Sequence, residues 1–318
     1  MQIIDDLNKL PPGLPYPVAT IGVFDGLHLG HQAIVRRVVQ RAREVNGTGI
    51  LLTFSPHPQK IISPADAPSL LQLPVQKHRL LEELGLDILV RYPFSRQVSR
   101  FSPERFVRDV LGSRGVKEIH VGSNFRFGYG RAGDFKTLES LGRKVGFHVF
   151  AIDSVRFRGR RVSSTVVRKH LGQGRVALCR RLLNRPYQIL GTVVRGSGRG
   201  ADLGFPTANL QPASELIPAS GVYVTRATVN GAVFVGATNV GYRPTLGEPA
   251  AKPVVETYLL DADCDLYGES MALDFWFRLR SERRFSNLDA LKRQLGSDVR
   301  LARKYGMKSD SVLDKRVL

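Results

Sequence analysis

The sequence predicts an α/β doubly wound parallel sheet followed by a small antiparallel β-barrel with a C-terminal helix. Three observations predict it. Over the first half, apolar β-branched runs alternate with helical patterns, which argues for a parallel sheet covered on both faces. From about residue 187 the strand-like runs crowd together with only Gly, Pro, Asn and Asp turns between them, the spacing of a barrel. Helical spacing then returns once, over 286–305.

In order, "VATIGVF" (18–24) is a buried strand, and residues 31–45 form a helix. In that helix Ile34, Val35, Val38, Val39, Ala42 and Val45 recur at helical spacing with arginines between them. Strands follow at 49–54, 86–92, 118–123 and 147–152, with helices at 77–84, 103–112 and 134–145. The barrel runs are "YQILGTVVR", "GVYVTRATV", "AVFVGATNV", "VVETYLLD" and "SMALDFWFRLR", and "VNGAV" (229–233) holds the Asn-Gly of a tight hairpin. Ser286 is the expected N-cap of the last helix. The domain boundary falls near Arg185–Pro186, giving 1–185 and 186–318.

Composition bounds the function. The chain has 318 residues, 42% hydrophobic and 24% charged, enough for two ordinary globular cores. No apolar run approaches the ~18 residues of a membrane helix, and "MQIIDDLNKL" is not a signal peptide. Cys179 and Cys264 have no metal spacing and fit a reducing, cytoplasmic compartment, though one bridge is compatible with the sequence. The net charge is +19, and residues 1–185 carry 30 Lys+Arg against 14 Asp+Glu. That excess fits nucleic acid, a polyanionic small molecule or an arginine-rich surface; no nucleic-acid motif accompanies it.

"GVFDGLHLGH" (22–31) lies between the first strand and its helix, where open α/β sheets bind ligands. Glycines admit a phosphate to the backbone, the helix N-terminus offers N–H groups, and His28 and His31 add donors. A zinc protease needs histidines four apart around a Glu, so the spacing of three argues against zinc. A plain glycine turn with surface histidines is the remaining alternative. "TFSPHP" (53–58) presents His57 between Pro56 and Pro58. "GSNFRFGYGRAGD" (122–134) mixes Asn124, Arg126 and Arg131 with Phe125, Phe127 and Tyr129, a set suited to a heteroaromatic ligand carrying phosphate. "RVSSTVVRKHL" (161–171) places Ser163, Ser164 and Thr165 at a helix start with Arg168 about one turn on, either phosphate ligands or simple caps.

These four segments together resemble the adenylyltransferase half of bifunctional FAD synthetases (riboflavin kinase/FMN adenylyltransferases, prokaryotic type), a Rossmann-like branch of the HxGH nucleotidyltransferases. The resemblance implies transfer of AMP from ATP to the phosphate of FMN, with release of pyrophosphate. It implies an ATP site at Gly22, Phe24, Asp25, Gly26, His28, His31, Ser163, Ser164, Thr165 and Arg168. His28 and His31 are the catalytic pair, and Asp25 either orients the turn or meets the nucleotide. The implied flavin site is Pro56, His57, Pro58, Asn124, Phe125 and Arg126. The nucleophile is already an ionised phosphate, so positioning and charge stabilisation carry the step.

In the second half, "GTVVRGSGRGADLGFPTANL" (191–210) offers a glycine-rich loop that is not a Walker loop. Thr207 and Asn209 are two apart, so on an extended backbone they point the same way, and their oxygens suit Mg²⁺ carrying ATP phosphates. Together with "PASGVYV", "ATNVGYRPT", "VVETYLLD" and the run from Asp265 to Val299, this half is similar to the riboflavin kinase module of the same family. The resemblance implies ATP binding by Gly196, Gly198, Gly200, Gly204, Pro206, Thr207 and Asn209, and metal binding by Thr207 and Asn209. It makes Glu256 the catalytic base that takes the proton of the riboflavin hydroxyl. Ala201, Asp202 and Leu246 depart from the usual pattern and bear on loop contacts. The implied partners are riboflavin, FMN and ATP, with Mg²⁺ and no membrane; nucleic acid rests on charge alone, and a homo-oligomer is left open.

Overall fold

The computed structural model describes residues 1–5, 7–112, 115–196, 199–243, 252–262 and 265–306. Of the residues singled out above, Gly198, Leu246 and Cys264 lie outside that range. The chain divides into two compact units, Met1–Ser164 and Thr165–Leu318.

The first unit is built on six strands: β1 (Gln2–Ile4), β2 (Pro17–Ile21), β3 (Thr48–Ser55), β4 (Ile88–Pro93), β5 (Glu118–Gly122) and β6 (His148–Ile152). They are all parallel, in the order β1-β4-β3-β2-β5-β6. All five residues of β2 are buried, as expected of a strand covered on both faces. One face packs under helix α1 (Leu29–Glu44), whose Val35, Val38, Val39 and Ala42 meet Val18, Leu51 and Leu89. Short α2 (Pro58–Ile62) follows β3, and α3 (Pro74–Glu83) adds Leu81 to the α1 layer. The other face meets α4 (Pro103–Phe106), the wider turn that continues it through Leu111, and α5 (Phe135–Val145), through Phe106, Val107, Val110 and Leu138. Burying each such side chain is worth about 1.5–3 kcal/mol. A two-stranded hairpin, β7 (Arg156–Phe157) and β8 (Arg160–Arg161), precedes α6 (Ser164–Leu171).

Chain order runs outward from β2 through β3 to β4, then jumps to β5 on the other side of β2. The switch point of the sheet therefore lies between β2 and β5, the place where doubly wound sheets open a ligand crevice.

The second unit begins on α6 and includes α7 (Val176–Leu183), which packs on the barrel strands. The barrel proper starts just after Arg185–Pro186, at Tyr187. Its strands are β9 (Tyr187–Val194), β10 (Ala208–Pro212), β11 (Gly221–Val229), β12 (Ala232–Arg243), β13 (Lys252–Leu259) and β14 (Ser270–Arg280), with the single helical turn α8 (Arg199–Asp202) between the first two. They close as β10-β13-β12-β11-β14-β9, every neighbour antiparallel. Asn230 (φ 48°) and Gly231 (φ 81°) make the predicted tight hairpin. Helix α9 (Leu288–Gly306) lays Val299, Ala302 and Tyr305 on the barrel beside Val224, Val235 and Phe277.

Two expectations need correction. The cap of α9 is Asn287, whose Oδ1 accepts from Ala290 N at 2.9 Å, and not Ser286. Helix α3 starts three residues before the expected 77, because Pro74 supplies a preset φ and Gln76 Oε1 accepts from Leu73 N at 2.8 Å. Cys179 is fully buried and unbridged, and desolvation pushes its thiol up to about 12.

Candidate active sites

The turn 22–31 leaves β2 at the switch point and ends in α1. His28 is the N-cap of that helix: its Nδ1 accepts from His31 N at 3.3 Å. The same spacing stacks the two imidazoles, 3.7 Å between centroids and 17° apart in plane. Desolvation, then the neighbouring His28 and Lys77, hold the His31 pKa well below its ordinary value, so this imidazole is neutral at pH 7. A neutral His31 ring can stack on its neighbour at that distance, where two imidazolium ions would repel.

Asp25 is buried, and its carboxylate accepts from Leu71 N at 3.0 and 3.2 Å, so it orients the turn. Gly26 has φ 80°, and a Cβ there would stand 2.6 Å from Leu71 Cδ1. Its lack of a side chain thus serves the packing of the turn on Leu71. Ser164 opens α6, and its hydroxyl donates to Asp25 O at 2.8 Å, tying the "SST" segment to the histidine turn. Gly30 faces Val162, since a Cβ built on it would come within 3.9 Å of the Val162 carbonyl. Ser163, Thr165 and Arg168 follow in sequence around that start.

The expected flavin segments leave the sheet on either side of β2. His57, between Pro56 and Pro58, follows β3 and caps α2, its Nδ1 accepting from Gln59 N at 3.1 Å. Asn124 and the half-buried Phe125 follow β5; Phe125 stacks on Phe127 with ring centroids 5.5 Å apart and shares the core. Arg126 pairs with Asp134 at 3.1 Å.

In the second unit, a cavity of about 430 Å³ between the outer barrel wall and α9 is lined by Gly196, Gly200, Pro206, Thr207, Asn209 and Glu256. β10 and β12 flank β13, and Asn209 and Asn239 are both in register with Glu256. A row Asn209–Glu256–Asn239 therefore crosses three strands. Asn209 Nδ2 donates to Thr207 O at 3.4 Å, and a Cβ on Gly196 would collide with the Asn209 amide. Gly204 has φ 81°. The Thr207 hydroxyl, the Asn209 amide and the Glu256 carboxylate are hard oxygen donors on one cavity. Among the described residues no group of three or more His, Cys, Asp or Glu could hold a metal ion. That donor set fits an Mg²⁺ that arrives on phosphates and needs only one or two protein oxygens.

Sequence reasoning missed Asn239, although it stands inside the quoted "ATNVGYRPT", because strand register is not visible in one sequence. It also missed Arg280, Asp298 and the α9 residues Leu291 and Leu295, which complete the cavity wall. Arg280 grips Asp298 through Nε at 3.0 Å and Nη2 at 2.7 Å. Near the histidine turn it missed Lys77, which no motif marks.

Residues 14–166 match the FAD synthetase family model, and residues 183–306 match the riboflavin kinase model. A bifunctional riboflavin kinase/FMN adenylyltransferase of Pseudomonas fluorescens is 38% identical over 304 residues, covering 95% of this chain and 97% of that protein. The Escherichia coli K12 protein of the same description is 36% identical over 290 residues, covering 91% and 92%. Among solved structures, a Streptococcus pneumoniae protein described as a macrolide-efflux protein superimposes with a TM-score of 0.86 at 26% identity, covering 95% of this chain and 98% of that one.

Proposed function

The chain belongs to the bifunctional riboflavin kinase/FMN adenylyltransferase family, and from that premise we propose how its residues divide the two activities. The enzyme phosphorylates riboflavin with ATP to give FMN and ADP, then adenylylates FMN with a second ATP to give FAD and pyrophosphate.

In the adenylyl step an FMN phosphate oxygen attacks the α-phosphorus of ATP and pyrophosphate leaves. No proton has to be removed from the nucleophile, so the task is alignment and stabilisation of charge on the transferring phosphate. His28 and His31 hold the ATP phosphates at the switch point. Ser163, Ser164, Thr165 and Arg168 are their partners around the start of α6, with Gly22, Phe24, Asp25 and Gly26 shaping the turn. Pro56, His57, Pro58, Asn124, Phe125 and Arg126 receive the flavin.

In the kinase step a riboflavin hydroxyl attacks the γ-phosphorus and ADP leaves. A hydroxyl must lose its proton, and Glu256 accepts it. Thr207 and Asn209 would hold Mg²⁺, and Gly196, Gly200, Gly204 and Pro206 carry the loop beside it. When bound, Mg²⁺ supplies charge neutralisation at the phosphates.

The observation that carries this division is placement. The histidine turn leaves the sheet at its switch point, and Glu256 faces a cavity together with Thr207 and Asn209. The histidine turn and the barrel cavity thus carry the groups for two separate phosphoryl chemistries. We place the enzyme in the cytoplasm, where ATP is supplied; no helix among the described residues is long and apolar enough to cross a membrane.

Purified protein with riboflavin and Mg²⁺-ATP should yield FMN and FAD on chromatography, and the absence of both products would sink the reading. Glu256→Gln should slow FMN formation by about 10²–10⁴-fold and leave FMN-to-FAD conversion intact. His28→Ala with His31→Ala should do the reverse. Loss of both steps in a folded variant would refute the division. A chain whose main partner is nucleic acid would instead show a salt-dependent gel shift indifferent to ATP.

A further inference from the structure

The histidine turn is folded against its own backbone preference. Phe24 (φ 51°) and Leu27 (φ 38°) both occupy the left-handed region that side chains other than glycine avoid, on either side of Gly26. Such a turn persists only where its surroundings hold it.

What holds it is a set of donors aimed at its carbonyl oxygens. Val23 O accepts from Lys77 Nζ at 2.9 Å and from Thr53 Oγ1 at 3.0 Å. Phe24 O accepts from Gln72 Nε2 at 3.3 Å, Asp25 O from Ser164 Oγ at 2.8 Å, and Leu27 O from Gln32 Nε2 at 2.8 Å. Thr53 comes from β3, Gln72 from the segment entering α3, Lys77 from α3 itself, Ser164 from the start of α6 and Gln32 from α1. In a trans peptide plane the C=O and the following N–H point in opposite directions. Drawing the carbonyls of Val23, Phe24, Asp25 and Leu27 to the donors therefore turns the N–H groups of Phe24, Asp25, Gly26 and His28 the other way.

We propose that Lys77 and Gln72 are positioning residues for adenylyl transfer, holding the Val23 and Phe24 carbonyls so that the turn keeps its phosphate-receiving shape. This rests on the reading above that the turn is a wall of the ATP site. Lys77 is desolvated, which lowers its pKa to about 8, while the Asp25 charge pulls it back up. At pH 7 it is still mostly an ammonium, so its bond to Val23 O is charge-assisted. Neither residue belongs to a sequence motif, and Lys77 looks like any polar residue on a helix.

The test uses the full chain and measures both steps. Lys77→Met and Gln72→Met should each lower kcat for FMN-to-FAD conversion about 10- to 100-fold, the order expected when a catalytic wall shifts by an ångström or less. The KM for FMN should change by less than about three-fold, because the flavin segments lie elsewhere. Riboflavin phosphorylation by the same molecules should stay within about two-fold, which reports that the chain is folded. Lys77→Arg keeps a charged donor and should retain at least about a third of the wild-type kcat. A Lys77→Met enzyme with wild-type kcat overturns the proposal, as do equal losses in the Arg and Met variants or parallel loss of both steps. If the wild-type chain forms no FAD, the reading of the turn fails and takes the proposal with it. FAD formation by the wild type beside a fully active Lys77→Met variant removes the proposal alone.

Discussion

Replacing Glu118 with Gln should cost the first unit about 3 kcal/mol at neutral pH and progressively less in acid. Glu118 starts β5 and is only 2% exposed. Burial alone would raise its pKa, but Arg41, His120 and Tyr16 outweigh that and hold it at about 2, against an ordinary value of 4.5. The Arg41 guanidinium reaches both carboxylate oxygens, through Nε at 3.0 Å and Nη2 at 2.8 Å, and Tyr16 OH adds a bond at 3.0 Å. A depression of ~2.5 units corresponds to about 3 kcal/mol of stability. Breaking a buried ion pair by removing one partner costs a similar ~3–5 kcal/mol. The sign follows from a folded pKa below the unfolded one. The contribution is complete above pH 4.5 and is lost as pH falls toward about 2. A protonated Glu and a Gln are nearly isosteric, so the two proteins should converge there. Urea unfolding at pH 7, 5, 4 and 3, followed by far-UV dichroism, measures the difference. The chain has one tryptophan, Trp276, in β14, so its fluorescence reports the barrel separately and should not move. A loss below about 1 kcal/mol at pH 7, or the same loss at pH 3 as at pH 7, would refute the reasoning.

Two further outcomes are expected in the barrel. Gly196→Ala should displace the Asn209 amide, raising the Mg²⁺ concentration the kinase step needs and slowing that step, with FMN-to-FAD conversion unchanged; Mg²⁺ titrations of both reactions check it. Asp298→Ala should leave Arg280 without its buried partner, lower the barrel's stability by about 3 kcal/mol in Trp276-monitored urea unfolding, and raise the KM for riboflavin phosphorylation, since both residues line the kinase cavity.

Much of this architecture was legible in the chain itself. A parallel strand buried on both faces becomes an unbroken apolar run, as in β2, and a tight hairpin needs two left-handed residues, as at Asn230 and Gly231. Short or ambiguous signals were not. β1 has three residues and buries only Ile4, too little to show a period. Ser286 and Asn287 are both good caps, so local preference could not choose between them. The run "VATIGVF" reads as strand through Phe24, yet the chain leaves the sheet at Ile21 and enters a left-handed turn that local propensity argues against.

Chemistry divides along the same line. The residue types that suit phosphate, Mg²⁺ and a hydroxyl nucleophile stand in short local motifs, so sequence alone determined which side chains to suspect: His28 and His31, Thr207 and Asn209, Glu256. Their spacing also excluded a zinc-protease helix. Only the tertiary structure decided what each one faces. Asp25 turned out to bind Leu71 N, Ser164 to hold the Asp25 carbonyl from 139 residues away, and Glu256 to lie between Asn209 and Asn239. The reason is physical. A motif is set by backbone geometry over a few residues, whereas the position of a strained turn or a strand register is set by bonds between segments far apart in the chain, and those partners carry no mark of their own until the fold brings them together.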